Sequence, residues 1–123
     1  MTKPLDGVKV IDLSNMLMAP YATQILGDMG ADIIKVEPPI GDPIRGIGPY
    51  RNPGMGAIFM NINRSKRSIV LDLKKPEGHA AILELLKDAD ILIYNRRPQV
   101  MDRLDLSYEK LSKINPRLIY AGL

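Results

Sequence analysis

Four cationic side chains of this sequence stand where they could bind phosphate groups. Lys74 follows an apolar, β-branched run, and Arg96, Arg97 and Arg103 follow the next such run. Lysine and arginine form charge-assisted hydrogen bonds with phosphate oxygens, and arginine can form two in parallel. A net charge of +3 also suits an anionic ligand. These residues therefore indicate a site for a phosphate-bearing molecule.

The sequence offers few residues for disulfide formation, metal binding or acid–base catalysis. The chain has no cysteine, which excludes disulfides and thiolate metal sites. His79 is the one histidine and begins a predicted helix, so we expect a solvated helix residue rather than a catalytic base. The seven methionines, Met16 and Met18 among them, are expected to fill gaps between apolar side chains. We predict no metal site.

Two further charged features have less specific interpretations. Glu37, at the end of a predicted strand, resembles a ribose-binding acid, but the preceding Ser14–Pro20 loop lacks the glycines of a dinucleotide site. We therefore expect Glu37 to be a solvated strand-end carboxylate. Arg64, Lys66 and Arg67 could either bind phosphate or pack against a partner subunit, and both interpretations stay open.

The elements that must position these residues alternate between strands and helices. Strands are predicted at 8–13, 32–37, 68–73, 90–94 and 117–121, and helices at 21–29, from Pro76 onward and at 106–114. The stretch from Pro38 to Gly56 holds five of the ten prolines and five of the ten glycines and is predicted to be an irregular, functional loop. The alternation predicts an α/β fold with a Rossmann-like parallel sheet, whose strand ends would bring Lys74 and Arg103 to one crevice.

The amino-acid composition indicates which partners and which cellular location to expect. With no Trp and one Phe, the chain lacks aromatic platforms for single-stranded bases, so we expect no nucleic-acid partner. No apolar run approaches the roughly 18 residues that cross a bilayer, so we expect no membrane partner. A cytoplasmic location is the expectation.

Several segments, in order, resemble one family. They are Gly7–Ser14, Ala19–Asp32, Ile34–Pro39, Gly41–Arg45, Asn63–Lys74, Ala89–Ile93 and Asn115–Tyr120. Together they resemble the opening of the family III CoA-transferases of the CaiB/BaiF type. That family includes formyl-CoA transferase, carnitine CoA-transferase and α-methylacyl-CoA racemases.

The resemblance implies that residues 1–123 are the Rossmann-like, coenzyme A-binding N-terminal portion of the large domain, without the small domain. It further implies an interlocked homodimer at full length, acyl-CoA and a carboxylic acid as substrates, and transfer through an aspartyl intermediate. No residue here matches that aspartate, which is expected beyond Leu123, so we predict that this chain alone is inactive. The implied coenzyme-binding residues are Leu71, Asp72, Leu73, Lys74, Asn95, Arg96, Arg97 and Arg103, with Leu17 and Met18 in the first loop.

The sequence also departs from the family pattern. After the fourth strand, Arg96 and Gln99 stand where relatives commonly have an aromatic residue and a glycine. Leu17 replaces the glutamine of formyl-CoA transferase, and Pro38 stands where some relatives have an arginine near the adenine. A narrow formyl/oxalate specificity is therefore not indicated. The long loop from Pro38 to Asn63 favours a transferase over a racemase, and a non-catalytic coenzyme- or partner-binding fragment is a third possibility.

Overall fold

Five parallel strands form the centre of the protein, for which the computed structural model describes residues 2–123. The strands are β1 (Lys9–Asp12), β2 (Asp32–Glu37), β3 (Lys66–Val70), β4 (Ile91–Tyr94) and β5 (Ile119–Gly122). They lie side by side in the order β3-β2-β1-β4-β5, and every neighbouring pair is parallel. The predicted α/β parallel sheet is confirmed.

Five helices connect the strands. They are α1 (Met18–Asp28), α2 (Ala57–Ile62), α3 (Pro76–Lys87), α4 (Pro98–Arg103) and α5 (Tyr108–Ile114). Pro76 and Pro98 each begin a helix. At this position a backbone N–H would have no acceptor within the helix, so its absence in proline costs no hydrogen bond. A single 3-10 turn, Pro43–Gly46, interrupts the loop that was predicted to be irregular. Sequence analysis did not predict α2 or α4.

One strand lies earlier in the chain than predicted. β3 was expected at 68–73 but spans Lys66–Val70, so Lys74 is not at a strand end and instead lies in the turn before α3. The reason is the partner strand: β2 ends at Glu37, which lies opposite Val70, and Pro38 follows. Beyond Val70 the chain has no neighbouring strand to bond with. Only one further hydrogen bond to β2 is formed, from Leu71 N to Glu37 O.

Alternate residues of the strands supply two apolar cores, one on each face of the sheet. On one face Ile11, Leu13 and Val36 pack against Ile82 and Leu86 of α3. The other face packs against Ala19 of α1 and is formed by the strand residues Val10, Ile33 and Ile93. Burial on both faces is typical of parallel sheets and makes the sheet a rigid support for its loops. Among the described residues, every helix falls short of what a membrane crossing requires.

An apolar groove of about 480 Å³ crosses one face of the sheet. Ile34 and Ile69 form its floor, Leu85 of α3 forms a wall, and charged residues such as Lys9 and Asp88 lie at its rim. We call it the sheet-face groove. It opens near the amino ends of the strands, whereas open α/β sheets bind ligands at the carboxyl ends. The functional site is therefore expected at the opposite, carboxyl edge of the sheet.

Candidate functional site

The strand order creates a crevice at the carboxyl edge of the sheet. From β1 the chain passes to β2 on one side, whereas β4 pairs with β1 on the other, so the direction of winding reverses between β1 and β4. Loops that follow β1 and β4 separate at such a point, and ligands of α/β proteins bind there. The loops after β1, β3 and β4 carry the residues that sequence analysis selected.

A groove beside this crevice is strongly cationic. It has a volume of about 430 Å³, and its lining includes Lys74, Lys75 and Arg103, all exposed. Asp105 also lines it, but that carboxylate is paired with Lys110. Three cations therefore face the groove with their charges largely uncompensated, which is the environment that phosphate groups require. We call it the basic groove.

A smaller cavity of about 80 Å³ continues from the basic groove toward the sheet. Both are lined by Leu73, Lys74 and Leu104, so they form one depression. The cavity wall is mostly apolar and also contains three other charged residues, which are Glu37, Asp72 and Arg96. An elongated ligand would place its anionic groups in the basic groove and the edge of a ring in the smaller cavity.

Arg96 supplies an independent indication of a ligand. Its Nε is buried and has no hydrogen-bond partner among the described residues. Buried polar groups are nearly always paired, and an unpaired one costs about 1–3 kcal/mol, so each exception calls for an explanation. Because Arg96 lines the small cavity, an acceptor on a bound ligand would satisfy this donor. The arginine that departs from the family pattern is thus compatible with coenzyme binding.

The turn that carries Lys74 is held from both sides. Asp72 Oδ1 accepts a hydrogen bond from Lys74 N at 3.1 Å, and Asp72 O accepts one from Lys75 N at 3.0 Å. The first turn of α3 packs against the same peptide, because a Cβ on Gly78 would lie 2.2 Å from Asp72 O. Only glycine permits this approach. The predicted stretch from Leu71 to Lys74 is therefore a fixed turn that lines both the basic groove and the smaller cavity.

Asn95, a predicted coenzyme contact, follows β4 and joins two loops at the crevice. Its Oδ1 accepts a hydrogen bond from Asn15 N at 3.1 Å, and its Nδ2 donates to Asn15 O at 2.8 Å. The side chain thus joins the loop after β4 to the loop after β1, across the crevice. Contact between Asn95 and coenzyme A stays a prediction, whereas its role in joining these loops is visible.

The remaining predicted residues lie apart from the basic groove. Leu17 and Met18, at the start of α1, are 47% and 73% exposed, beside the loop after β1. Arg97 is exposed immediately before α4. None of the three lines the groove or the cavity, and their coenzyme contacts stay predictions. Met16 and Met18 do not fill gaps in the core as expected, because both are exposed.

His79 is another correction. It was expected to be solvated, but it is half-buried in the wall of the basic groove, with its Nε2 buried and unpaired within the described part of the chain. The first turn of α3 turns inward toward the groove because Gly78 packs on the preceding turn. The histidine therefore belongs to the surroundings of the site.

Sequence reasoning missed a buried ion pair below the crevice. Lys66 Nζ lies 3.0 Å from Asp12 Oδ2, and the two side chains are 1% and 0% exposed. Asp12 also accepts hydrogen bonds from Ser14 and Thr23, and Lys66 donates to two further oxygens. Burial lowers the pKa of Lys66, and the nearby Asp12 carboxylate opposes that shift.

The cluster of Arg64, Lys66 and Arg67 therefore binds internal carboxylates rather than an external phosphate. Lys66 is buried against Asp12, and Arg64 and Arg67 pair with Asp28 and Asp32 at 2.7 and 2.6 Å. Of the two interpretations left open, the phosphate site loses its support, because each cation already has a carboxylate.

Glu37 anchors a second buried group of charges, so its expected exposure was wrong. It is 2% exposed and accepts hydrogen bonds from Arg45 Nε and Ser68 Oγ, both at 2.7 Å. Burial alone would raise its pKa, but the hydrogen bonds from Arg45, Ser68 and the Asp42 backbone lower the pKa of Glu37 to about 2. Arg45 also lies 3.7 Å above the Phe59 ring. The prolines and glycines after β2 are thereby held in a defined loop.

A sequence signal for both groups was present. Asp12, Lys35 and Glu37 interrupt apolar strands that lie in the centre of a parallel sheet, and a charge in such a position must be paired. The partner of Asp12 is 54 residues away, so spacing could not identify it, whereas the partner of Glu37, Arg45, lies only eight residues further along the chain.

The chain matches the family described as CoA-transferase family III over residues 5–123. It is 52% identical over 120 residues to acetyl-CoA:oxalate CoA-transferase of Acetobacter aceti, covering 97% of this chain and 31% of that protein. It is 39% identical over 122 residues to succinyl-CoA:glutarate CoA-transferase of Mus musculus, covering 98% and 28%. The chain thus spans about a third or less of the length of these relatives.

Solved structures give the same result. A CAIB/BAIF family protein from Brucella suis superposes with a TM-score of 0.93 at 42% identity, covering 99% of this chain and 33% of that one. The match extends over the sheet, the loops of its carboxyl edge and the flanking helices. Sequence and structure agree, and this chain belongs to the CoA-transferase family III.

Proposed function

We propose that this chain is the coenzyme A-binding portion of an enzyme that moves coenzyme A from an acyl-CoA to a carboxylic acid. The observation that carries the proposal is the basic groove and its continuation into the cavity beside Arg96. Coenzyme A combines a 3′-phosphate, a pyrophosphate and an adenine ring, and this depression offers three cations next to an apolar cavity. Family membership and the names of the relatives, which pair a CoA thioester with an acid, support the same reaction.

In this proposal, different residues bind different parts of coenzyme A. Lys74, Lys75 and Arg103 hold phosphate groups. One edge of the adenine reaches the small cavity, where a ring nitrogen accepts a hydrogen bond from Arg96 Nε. The pantetheine arm then runs toward the crevice between β1 and β4, where Leu17 and Met18 lie exposed. This chain orients the thioester, and no residue of it is assigned as the nucleophile.

The remainder of the proposal concerns the full-length protein. Transfer through an aspartyl intermediate would use a residue from the part of the relatives' length that this chain does not span. We propose an interlocked homodimer for that protein on the basis of the family resemblance. We propose a cytoplasmic location, with which the cysteine-free composition agrees.

Calorimetric titration with coenzyme A and dephospho-CoA tests the binding site. Lys74→Ala and Arg103→Ala should each weaken coenzyme A binding roughly tenfold or more, because a hydrogen bond to a charged group contributes about 1.5–3 kcal/mol. Arg117→Ala is the matched control, since Arg117 is an exposed cation before β5, at the opposite edge of the sheet. A loss seen only with coenzyme A identifies a contact with the 3′-phosphate.

Two results would contradict the proposal. The first is that the unmodified chain binds neither ligand. The second is that Lys74→Ala and Arg103→Ala bind coenzyme A as Arg117→Ala does, which would make them ordinary surface charges.

A further inference from the structure

Three successive residues of the loop after β1 are held by side chains from elsewhere in the fold. Ser14 O accepts a hydrogen bond from Lys35 Nζ at 2.8 Å. Asn15 is bound at both its N–H and its C=O by the Asn95 amide. Met16 N donates to Asp42 Oδ1 at 3.1 Å. The loop is therefore fixed peptide by peptide, immediately before the exposed Leu17 and Met18.

Met16 has a backbone conformation that needs such support. Its φ is 67°, in the left-handed region that residues other than glycine rarely occupy. The side chain is 41% exposed, so core packing does not explain the conformation. Unfavourable backbone conformations persist only where the surroundings determine them, and they concentrate at functional sites. The contact from the Met16 N–H to Asp42 is the direct restraint.

Asp42 is itself rigidly placed. Its carboxylate is 1% exposed and lies 2.9 Å from Lys35 Nζ, and its Oδ1 also accepts a hydrogen bond from Ile44 N at 3.1 Å. Its backbone N–H donates to Glu37 Oε2 at 3.0 Å. One carboxylate thus links the end of β2 and the proline-rich loop to the loop after β1. Neither the fold prediction nor the phosphate site accounts for this arrangement.

We propose that Asp42 is a positioning residue that holds Met16 in its left-handed conformation and so fixes Leu17 and Met18 at the crevice between β1 and β4. The inference rests on the proposed function in one respect, namely that the acyl end of the substrate occupies that crevice. The Lys35–Asp42 ion pair contributes stability, while the Asp42–Met16 hydrogen bond sets the loop, so the two roles can be separated.

Two substitutions of Asp42 make this separation. Asp42→Asn and Asp42→Ala both leave Lys35 without its counter-ion, so both should destabilise the chain. Only Asp42→Ala removes the acceptor for the Met16 N–H. Hydrogen exchange of the Met16 amide, followed by NMR, should be roughly fivefold or more faster in Asp42→Ala than in Asp42→Asn, as expected for one lost hydrogen bond. Titration with acetyl-CoA should show weaker binding by Asp42→Ala than by Asp42→Asn.

Substitutions at Met16 test the same point without disturbing the buried pair. Met16→Val should accelerate exchange of the residue 16 amide, because β-branched residues disfavour positive φ. Met16→Gly should accelerate this exchange less than Met16→Val does, because glycine adopts positive φ without strain and the Asp42 acceptor is still present. These variants keep the test valid if Asp42→Ala fails to fold.

The inference is overturned if Asp42→Ala and Asp42→Asn show the same Met16 exchange, or if Met16→Val exchanges as slowly as the unmodified chain. It is also overturned if the exchange differs as expected but acetyl-CoA binds Asp42→Ala and Asp42→Asn equally. Failure of the unmodified chain to bind acetyl-CoA would instead count against the proposed function, and the exchange rates would still decide whether Asp42 sets the loop.

Discussion

Replacing Lys66 with methionine provides the strongest stability test of the buried charges. The change keeps the length of the side chain but leaves Asp12, which is fully buried, without its counter-ion. Breaking a buried pair by removing one partner costs about 3–5 kcal/mol. A domain of 123 residues has a total stability of about 6–18 kcal/mol, so a large fraction should be lost.

Arg67→Ala is the matched control in the same strand. Arg67 and Asp32 lie closer together, at 2.6 Å against 3.0 Å for Lys66 and Asp12, but they are 66% and 48% exposed. Water screens such a pair, and its loss should cost only about 0.2–1 kcal/mol. Burial rather than distance therefore decides which substitution matters.

Urea denaturation of both variants measures the difference. We expect Lys66→Met to lower the free energy of unfolding several times more than Arg67→Ala does. Asp12→Asn and the double variant complete a thermodynamic cycle, and the double variant should be more stable than the sum of the single losses predicts, by about 1 kcal/mol or more. Equal losses in Lys66→Met and Arg67→Ala would refute the reasoning.

Three further predictions concern pH, packing and salt. The pKa of Glu37 is lowered from 4.5 to about 2, so its contribution to stability is present above pH 4.5 and is lost as the pH falls toward 2. The free energy of unfolding should fall by about 3 kcal/mol over this range. Glu37→Gln should remove this part of the pH dependence when unfolding by urea is measured at several pH values. Gly78→Ala should destabilise the chain by about 1–3 kcal/mol, and it should weaken coenzyme A binding because the added Cβ displaces Asp72 and the turn that carries Lys74. Gly46→Ala is the control and should have neither effect, because a Cβ at Gly46 meets no atom within 4 Å. Coenzyme A affinity should fall as salt rises from 0.05 to about 0.5 M, since the groove cations are exposed, and the loss caused by Lys74→Ala should shrink in parallel.

The sheet was predictable because its strands carry strong local patterns. β2 has the predicted bounds, since its apolar run ends at a proline. The start of β3 was predicted too late because its first two residues, Lys66 and Arg67, are charged. Its end was also predicted too late, because Leu71 to Leu73 continue the apolar pattern although they have no partner strand. Two helices of six residues, α2 and α4, are too short to show a helical period and were missed.

Sequence analysis selected three cations of the candidate site and the turn from Leu71 to Leu73, but it missed Lys75. Lys74, Arg96 and Arg103 follow strands in the sequence, and topology brings such residues together. The supports of the site depend on contacts between distant residues, as in the hydrogen bonds of Asp42 with Met16 and of Asn95 with Asn15. Such pairs cannot be found from one sequence, although the charged residues inside apolar strands indicated that partners existed.

A titration of the ¹⁵N-labelled chain with coenzyme A, followed residue by residue by NMR, tests the central claim most directly. We expect the amide shifts to concentrate in the turn from Leu71 to Lys75, at Arg96 and around Arg103, with smaller changes at Leu17 and Met18. Shifts concentrated at Ile34, Ile69 and Leu85 in the sheet-face groove, or no shifts at saturating coenzyme A, would contradict it.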